Sequence, residues 1–124
     1  MFTVLERAGR RTAAIATWSK IATIAGSGTP HASRILTAPV PDDPDEAKTD
    51  AATADAAIAG DAPGFLFVHL DRVDFAGHRH GAASKAFLDA ITRVDREVGR
   101  IVAAVDARRF AVLGRGWQIT SGAA

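Results

Sequence analysis

Apolar residues follow two patterns along the chain, short continuous runs and longer stretches with helical spacing. The alternation of these two patterns predicts an α/β fold. Residues 12–17 and 65–70 are short apolar runs bounded by glycine, proline or charged residues, which predicts two buried strands. Strands that are buried on both faces are typical of a parallel sheet. Longer stretches with helical spacing lie around them, at residues 2–8, 43–59 and 84–106. The pattern therefore predicts a single α/β domain over residues 1–124 with a mainly parallel sheet.

The last predicted helix has the clearest apolar stripe. Its apolar residues are separated by alternating steps of four and three, at Phe87, Ile91, Val94, Val98, Ile101 and Val105. Ser84 is the expected N-cap. Asp89 and Arg93 are spaced for an ion pair on the outer side, and Gly99 predicts a close approach to the sheet.

The other helices carry end signals. Gly9 suits the left-handed position after the first helix. For the middle helix, Asp43 is the expected N-cap, Pro44 the first helical residue and Glu46 the partner that completes a capping box, and Gly60 is the expected end. Residues 18–24 are compatible with a short helix or an irregular segment, and residues 26–30 with a loop. Residues 117–121 predict the start of another strand.

Potential metal ligands are concentrated directly after the second strand. The stretch 65–81 contains His69, His78 and His80, with Asp71 and Asp74 among them. In open α/β sheets, function collects beyond the carboxyl ends of the strands, and we expect residues 71–81 to form a loop there. In such a loop the spacing of Asp74 and His78 allows both to bind one ion at about 2 Å.

The residues alone leave other interpretations open. An aspartate and a histidine in a polar segment are often solvent-exposed, and a catalytic zinc ion commonly takes three protein ligands rather than two. His80 is either a third ligand or faces water or a substrate, and His69 fits a hydrogen-bonded strand residue. Asp71 either orients His78 or is a plain carboxylate at the strand end. Thr29 and His31 are better explained as loop residues than as catalytic ones.

Composition excludes several classes of partner. The net charge is +1 and the arginines are scattered, so neither nucleic acid nor an anionic membrane is an expected partner. The chain has no cysteine, which excludes disulfides and thiolate metal sites. No apolar stretch approaches the roughly 20 residues that span a bilayer. With no recognisable leader, a cytoplasmic location is expected by default.

The ligand-rich stretch also resembles a known family. The run Asp74-Phe-Ala-Gly77-His78-Arg-His-Gly81 matches the Asp-x-x-Gly-His-x-x-Gly motif of the alkaline phosphatase superfamily. It is most similar to the type I phosphodiesterase/nucleotide pyrophosphatase branch. Residues 6–14, with Gly9 and Thr12, resemble the family's helix-glycine-strand step, and residues 117–121 resemble the strand that precedes its Ser-Asp-His-Gly motif.

The resemblance implies a partial alkaline-phosphatase-like α/β/α sandwich and a phosphoester hydrolase. Asp74 and His78 would be ligands of one of two catalytic metal ions, usually zinc, that act on a small phosphoester substrate. The family's nucleophile belongs to a segment upstream of residue 1, and Gly122-Ala-Ala stands where its next Asp-His pair is expected. We therefore expect a fragment truncated at both ends, with no catalytic residue assigned, that binds zinc weakly and has no phosphodiesterase activity.

Two alternatives remain at this point. One is a non-catalytic α/β module that serves binding or interaction. The other is a fragment of a sulfatase or of a relative of the cofactor-independent phosphoglycerate mutases. A sheet without its outer strands has unpaired edges, so self-association is also expected.

Overall fold

The computed structural model describes residues 1–26, 35–36, 38–59 and 63–107. Helices and strands alternate along this part of the chain. In chain order they are α1 (Phe2–Arg7), β1 (Thr12–Ile15), α2 (Ser19–Gly26), β2 (Ile35–Leu36), α3 (Ala47–Ala59), β3 (Phe65–Val68), α4 (Arg72–His80) and α5 (Lys85–Ala107). The alternation confirms the α/β prediction, and α2 decides between the two interpretations of residues 18–24.

The three described strands form one parallel sheet in the order β2-β1-β3. β1 lies beside β3 with Thr12 opposite Phe65 and Ile15 opposite Val68. Both strands end two residues earlier than the apolar runs predicted. The N–H of His69 still donates to the Ile15 carbonyl at 3.0 Å, which makes it the last link between the two strands.

β1 is the buried centre of the sheet. All four of its residues are buried, and successive side chains of a strand point to opposite faces, so the strand is covered on both sides. On one side the Phe2 ring of α1 meets Phe65 and Phe67 edge-on, with ring centroids 5.5 and 6.4 Å apart. Ala14 and Ala25 complete this cluster, which joins α1 and α2 to the sheet.

α1 is tied to β1 by polar contacts as well. A carboxylate oxygen of Glu6 accepts the backbone N–H of Thr12 at 2.8 Å and its hydroxyl at 2.7 Å. Gly9 has φ +70° just after α1, where the left-handed region favours glycine, as predicted. The helix-glycine-strand step is therefore a short, hydrogen-bonded reversal.

The start of α3 differs from the prediction. The helix begins at Ala47, because Glu46 has φ +59° and interrupts any helix that would begin near Asp43. Pro44 and Glu46 are therefore neither the first nor the third helical residue. The Asp43 carboxylate nevertheless caps α3 from outside, since it accepts the N–H of Thr49 at 2.6 Å. The end of α3 at Ala59 agrees with the prediction.

The segment predicted to be a loop after β3 is helical. α4 occupies Arg72–His80, and residues 81–84 connect it to α5. Gly81 has φ +81° and follows the last residue of α4, where the left-handed region favours glycine. The predicted cap of α5 is confirmed, because the Ser84 hydroxyl accepts the N–H of Phe87 at 3.1 Å.

α5 packs against α3 and α4, but two predicted details of this helix are wrong. Asp89 accepts a hydrogen bond from Lys85 at 2.6 Å and does not pair with Arg93. A Cβ at Gly99 would meet nothing within 4 Å, so this glycine does not mark a close approach to the sheet. Leu88, Ile91 and Val98 are exposed, so the apolar stripe is wider than the face that packs.

Some predictions fall on residues that lie outside the described part of the chain. These are Thr29, His31, Gly60 and the strand predicted at residues 117–121. Within the described ranges, no helix combines the length and the apolar character that crossing a membrane requires.

Candidate metal centre

α4 brings the two predicted metal ligands together. Asp74 and His78 are one helical turn apart, and residues with that spacing share a face of a helix. The His78 Nε2 lies 3.5 Å from the Asp74 Oδ2. Both side chains are largely exposed, at 82% for the histidine and 73% for the aspartate, so an ion reaches them directly from solvent.

This separation suits a shared ion. Zinc binds nitrogen and carboxylate oxygen at about 2.0–2.2 Å, and two such ligands at a tetrahedral angle lie about 3.4 Å apart. The observed 3.5 Å is close to that value, and the helix supplies the geometry that the predicted loop was expected to supply. In the described ranges, no three His, Asp or Glu side chains are grouped closely enough to hold a metal. The described residues thus bring two candidate ligands together.

A buried carboxylate on another helix holds the start of α4. Asp71 occupies the N-cap position, but its side chain makes no capping bond. Asp50 of α3 takes that role, since its carboxylate accepts the N–H of Asp71 at 2.8 Å and of Arg72 at 3.2 Å. Asp50 is only 2% exposed. Burial raises the pKa of the Asp50 carboxyl, even though these two hydrogen bonds oppose the rise.

A second contact crosses from the segment before α3 to the first turn of α4. Arg72 is buried, and its Nη2 donates to the Asp45 carboxylate at 2.9 Å. Together with Asp50, this ion pair anchors the turn that precedes Asp74. The orientation of the ligand face therefore depends on α3 and on the residues just before it.

Asp74 is one of several acids whose charges act on Glu46. Burial raises the pKa of Glu46, and the charges of Asp71, Asp50, Asp43 and Asp74 raise it further. The Glu46 Oε2 is buried and accepts no hydrogen bond from any described residue. Asp74 is therefore one of four aspartates whose negative charges act on the Glu46 carboxyl.

Comparison with known proteins places the chain in a family. The model of the type I phosphodiesterase / nucleotide pyrophosphatase family matches residues 1–113, which is most of the chain and includes the Asp-x-x-Gly-His motif. The chain belongs to this family. It is therefore a member of the alkaline phosphatase superfamily, as the motif indicated. The comparison with curated proteins found no significant match, and neither did the comparison with solved structures.

The other candidate residues of this phosphodiesterase-family chain lie apart from the ligand pair. His80 is exposed, and no hydrogen bond joins Asp71 to His78. His69 stacks on the Trp18 ring at 5.8 Å, and its Nδ1 is buried without a partner among the described residues. The expectation that His69 is a hydrogen-bonded strand residue holds for its backbone, which bonds to Ile15, but not for its ring.

Gly77 of the motif has a packing role. A Cβ at this position would lie 3.3 Å from the Phe87 Cε2, tighter than most side-chain contacts. The missing side chain lets α5 approach α4 behind the ligand pair. Gly77 lies inside α4 and not in the loop that was expected over residues 71–81.

Two residues that build this site carry no recognisable signal in the sequence. Asp50 lies 21 and 22 residues from the amides that it accepts, inside an alanine-rich helix where it resembles an ordinary polar residue. Arg72 resembles a surface residue of the predicted loop. Only the packing of α3 against the start of α4 reveals their contacts.

Proposed function

We propose that Asp74 and His78 bind a divalent metal ion, zinc by the type of their donors, and that this ion serves the hydrolysis of a small phosphoester. The observation that carries the proposal is the 3.5 Å separation of the two donor atoms on one face of α4. Family membership supports phosphoester hydrolysis over the sulfatase and phosphoglycerate mutase alternatives.

Each residue of the pair contributes differently. The Asp74 carboxylate supplies negative charge, and His78 binds through Nε2 when its ring is neutral. Asp50 and Arg72 fix the first turn of α4, so the backbone under the pair is preorganised. When bound, a metal ion of this kind polarises a phosphoryl oxygen as a Lewis acid.

We further propose that the chain by itself binds zinc weakly and does not turn over phosphodiesters. Two ligands fall short of the three that catalytic zinc sites commonly take from the protein. The pair therefore contributes one part of a centre whose other ligands lie outside the described residues.

Zinc titration tests the ligand assignment. We expect D74N and H78Q each to weaken zinc binding by more than about tenfold. Even the loss of a residue that only orients a metal ligand typically lowers metal affinity by about 10–100-fold. H80Q is the matched control, because His80 is an exposed histidine of the same helix. Isothermal titration calorimetry of the four proteins gives the affinities. Equal weakening by H80Q and H78Q would contradict the assignment.

An activity assay tests the proposal that the chain by itself does not turn over phosphodiesters. With zinc and bis-p-nitrophenyl phosphate, we expect no release of nitrophenol above a D74N/H78Q control. Turnover that requires Asp74 would contradict the proposed inactivity but retain the ligand pair. Unchanged zinc binding in D74N and H78Q would instead favour the non-catalytic module.

A further inference from the structure

A second polar site lies on the other side of α4. A cleft of about 70 Å³ is lined by residues of α3, α4 and α5, chief among them Asp50, Arg72, Arg93, Arg96 and Glu97. One water needs about 10–15 Å³ of such volume, so the cleft accommodates a small polyatomic ion. Arg72 precedes Asp74 by two residues, and positions two apart on a helix do not share a face. The cleft is therefore distinct from the ligand pair.

Arg72 leaves one donor unsatisfied in the wall of this cleft. Its side chain is only 9% exposed, and its Nη2 is bonded to Asp45. The Nη1 is buried and has no partner among the described residues. A buried charged donor without an acceptor is costly, so this atom is available to an acceptor that enters the cleft.

The charges around the cleft favour an anion. Arg93 and Arg96 are exposed, and the ion pairs of the described residues include neither of them, so their guanidinium groups are able to turn toward a ligand. The two acids of the cleft are already engaged. Asp50 accepts two backbone N–H groups, and Glu97 pairs with Arg100. The lining thus carries three guanidinium groups and two carboxylates, and the carboxylates already have donors of their own.

We propose that this cleft binds a small tetrahedral oxyanion of the phosphate class. Guanidinium groups present paired N–H donors that match the oxygens of such an ion, and their hydrogen bonds to it are charge-assisted. Arg72 supplies a buried donor from α4, while Arg93 and Arg96 supply donors from α5. The bound ion links α4 to α5 and steadies the helix that carries Asp74 and His78. Binding at this site does not require a metal ion at Asp74 and His78.

The test is a titration with inorganic phosphate in the presence of EDTA at constant ionic strength. We expect saturable binding of one phosphate per chain, with shifts of backbone amide resonances in α3, α4 and α5. R93Q/R96Q is expected to weaken binding about tenfold or more, since two charge-assisted donors are lost. Both residues are exposed, so the variant is expected to fold, and a far-ultraviolet spectrum checks this.

Matched variants distinguish binding in this cleft from binding elsewhere on the chain. R7Q/R79Q removes the same charge from exposed positions that do not line the cleft and is expected to retain phosphate binding. D74N/H78Q is also expected to retain it, so failure of the metal proposal leaves this one standing. Equal loss in R7Q/R79Q, or loss in D74N/H78Q, would overturn the site. Non-saturable binding would do the same, and acetate binding as tight as phosphate would overturn the ligand class.

Discussion

At the scale of single residues, Asp50 shows how a buried charge supports an exposed site. It lies on α3 and caps α4 by accepting two backbone N–H groups that the helix leaves without partners. Because the carboxylate is buried, it has lost its hydration, and these two donors replace part of that hydration. Asp50 therefore connects the stability of the fold with the placement of Asp74.

We expect replacement of Asp50 to be far more costly than replacement of its exposed neighbour Asp55. D50A leaves two buried N–H groups unpaired and should lower the free energy of unfolding by about 2–4 kcal/mol. D50N keeps one acceptor and should cost less. D55A removes an exposed ion pair with Arg100 and should cost less than about 1 kcal/mol. Urea unfolding measures all three, and a D50A cost no larger than that of D55A would contradict the capping role.

At the scale of elements, Gly77 in α4 and Gly99 in α5 have different environments. Gly77 faces Phe87 across the interface of the two helices, whereas Gly99 faces open space. Each lowers the intrinsic helix propensity of its own helix relative to alanine. Only Gly77 offsets that penalty, because it permits close packing.

Alanine substitutions separate the two situations. G99A should raise the free energy of unfolding by about 1 kcal/mol, the propensity difference between glycine and alanine. G77A gains the same propensity but forces the Phe87 ring to shift, so its net gain should be clearly smaller. G77L overpacks the interface and should destabilise by about 1–3 kcal/mol. Thermal and urea unfolding give these values, and equal stabilisation by G77A and G99A would rule out the packing role.

At the scale of the whole molecule, acids from three segments converge near the start of α4. Asp43 and Glu46 come from the segment before α3, Asp50 from α3, and Asp71 and Asp74 from the start of α4. Burial opposes ionisation of Asp43, but its hydrogen bonds from Thr49 outweigh burial and lower its pKa. Glu46 has no such bonds, so burial and the neighbouring charges raise its pKa. Folding therefore favours the protonated form of Glu46.

This predicts a pH-dependent gain in stability from E46Q. The folded-state pKa of Glu46 lies above its ordinary value of 4.5. The wild-type chain therefore loses stability as the pH rises from 4.5 to that raised pKa. E46Q lacks the carboxylate, so its stability relative to the wild type should increase from below pH 4.5 and level off above the raised pKa. D42N removes an exposed carboxylate from the same segment and is the control. Urea unfolding across this range measures the effect, and a flat E46Q profile would contradict it.

Part of the molecular surface on α5 is apolar. Leu88, Ile91 and Val98 are exposed there. Self-association, expected from unpaired sheet edges, stays a prediction, and the proposed zinc and phosphate sites do not depend on it.

The sequence by itself determined the α/β class, the two apolar strands, the Ser84 cap and the closeness of Asp74 to His78. These depend on local signals: an apolar run, a hydroxyl at a helix start and a motif whose residues lie within one turn. Asp74 and His78 lie close together although the loop expected there is a helix, because a spacing of four brings two side chains together in a helix as well. Their role as metal ligands stays a prediction.

The tertiary structure alone decided how that pair is held. The helical state of residues 72–80 depends on capping by Asp50 from another helix, and the role of Gly77 depends on where Phe87 lies. The cleft around Arg72 likewise forms only where three helices meet. These contacts join residues far apart along the chain, and neither periodicity nor a local motif encodes which distant surfaces will pack together.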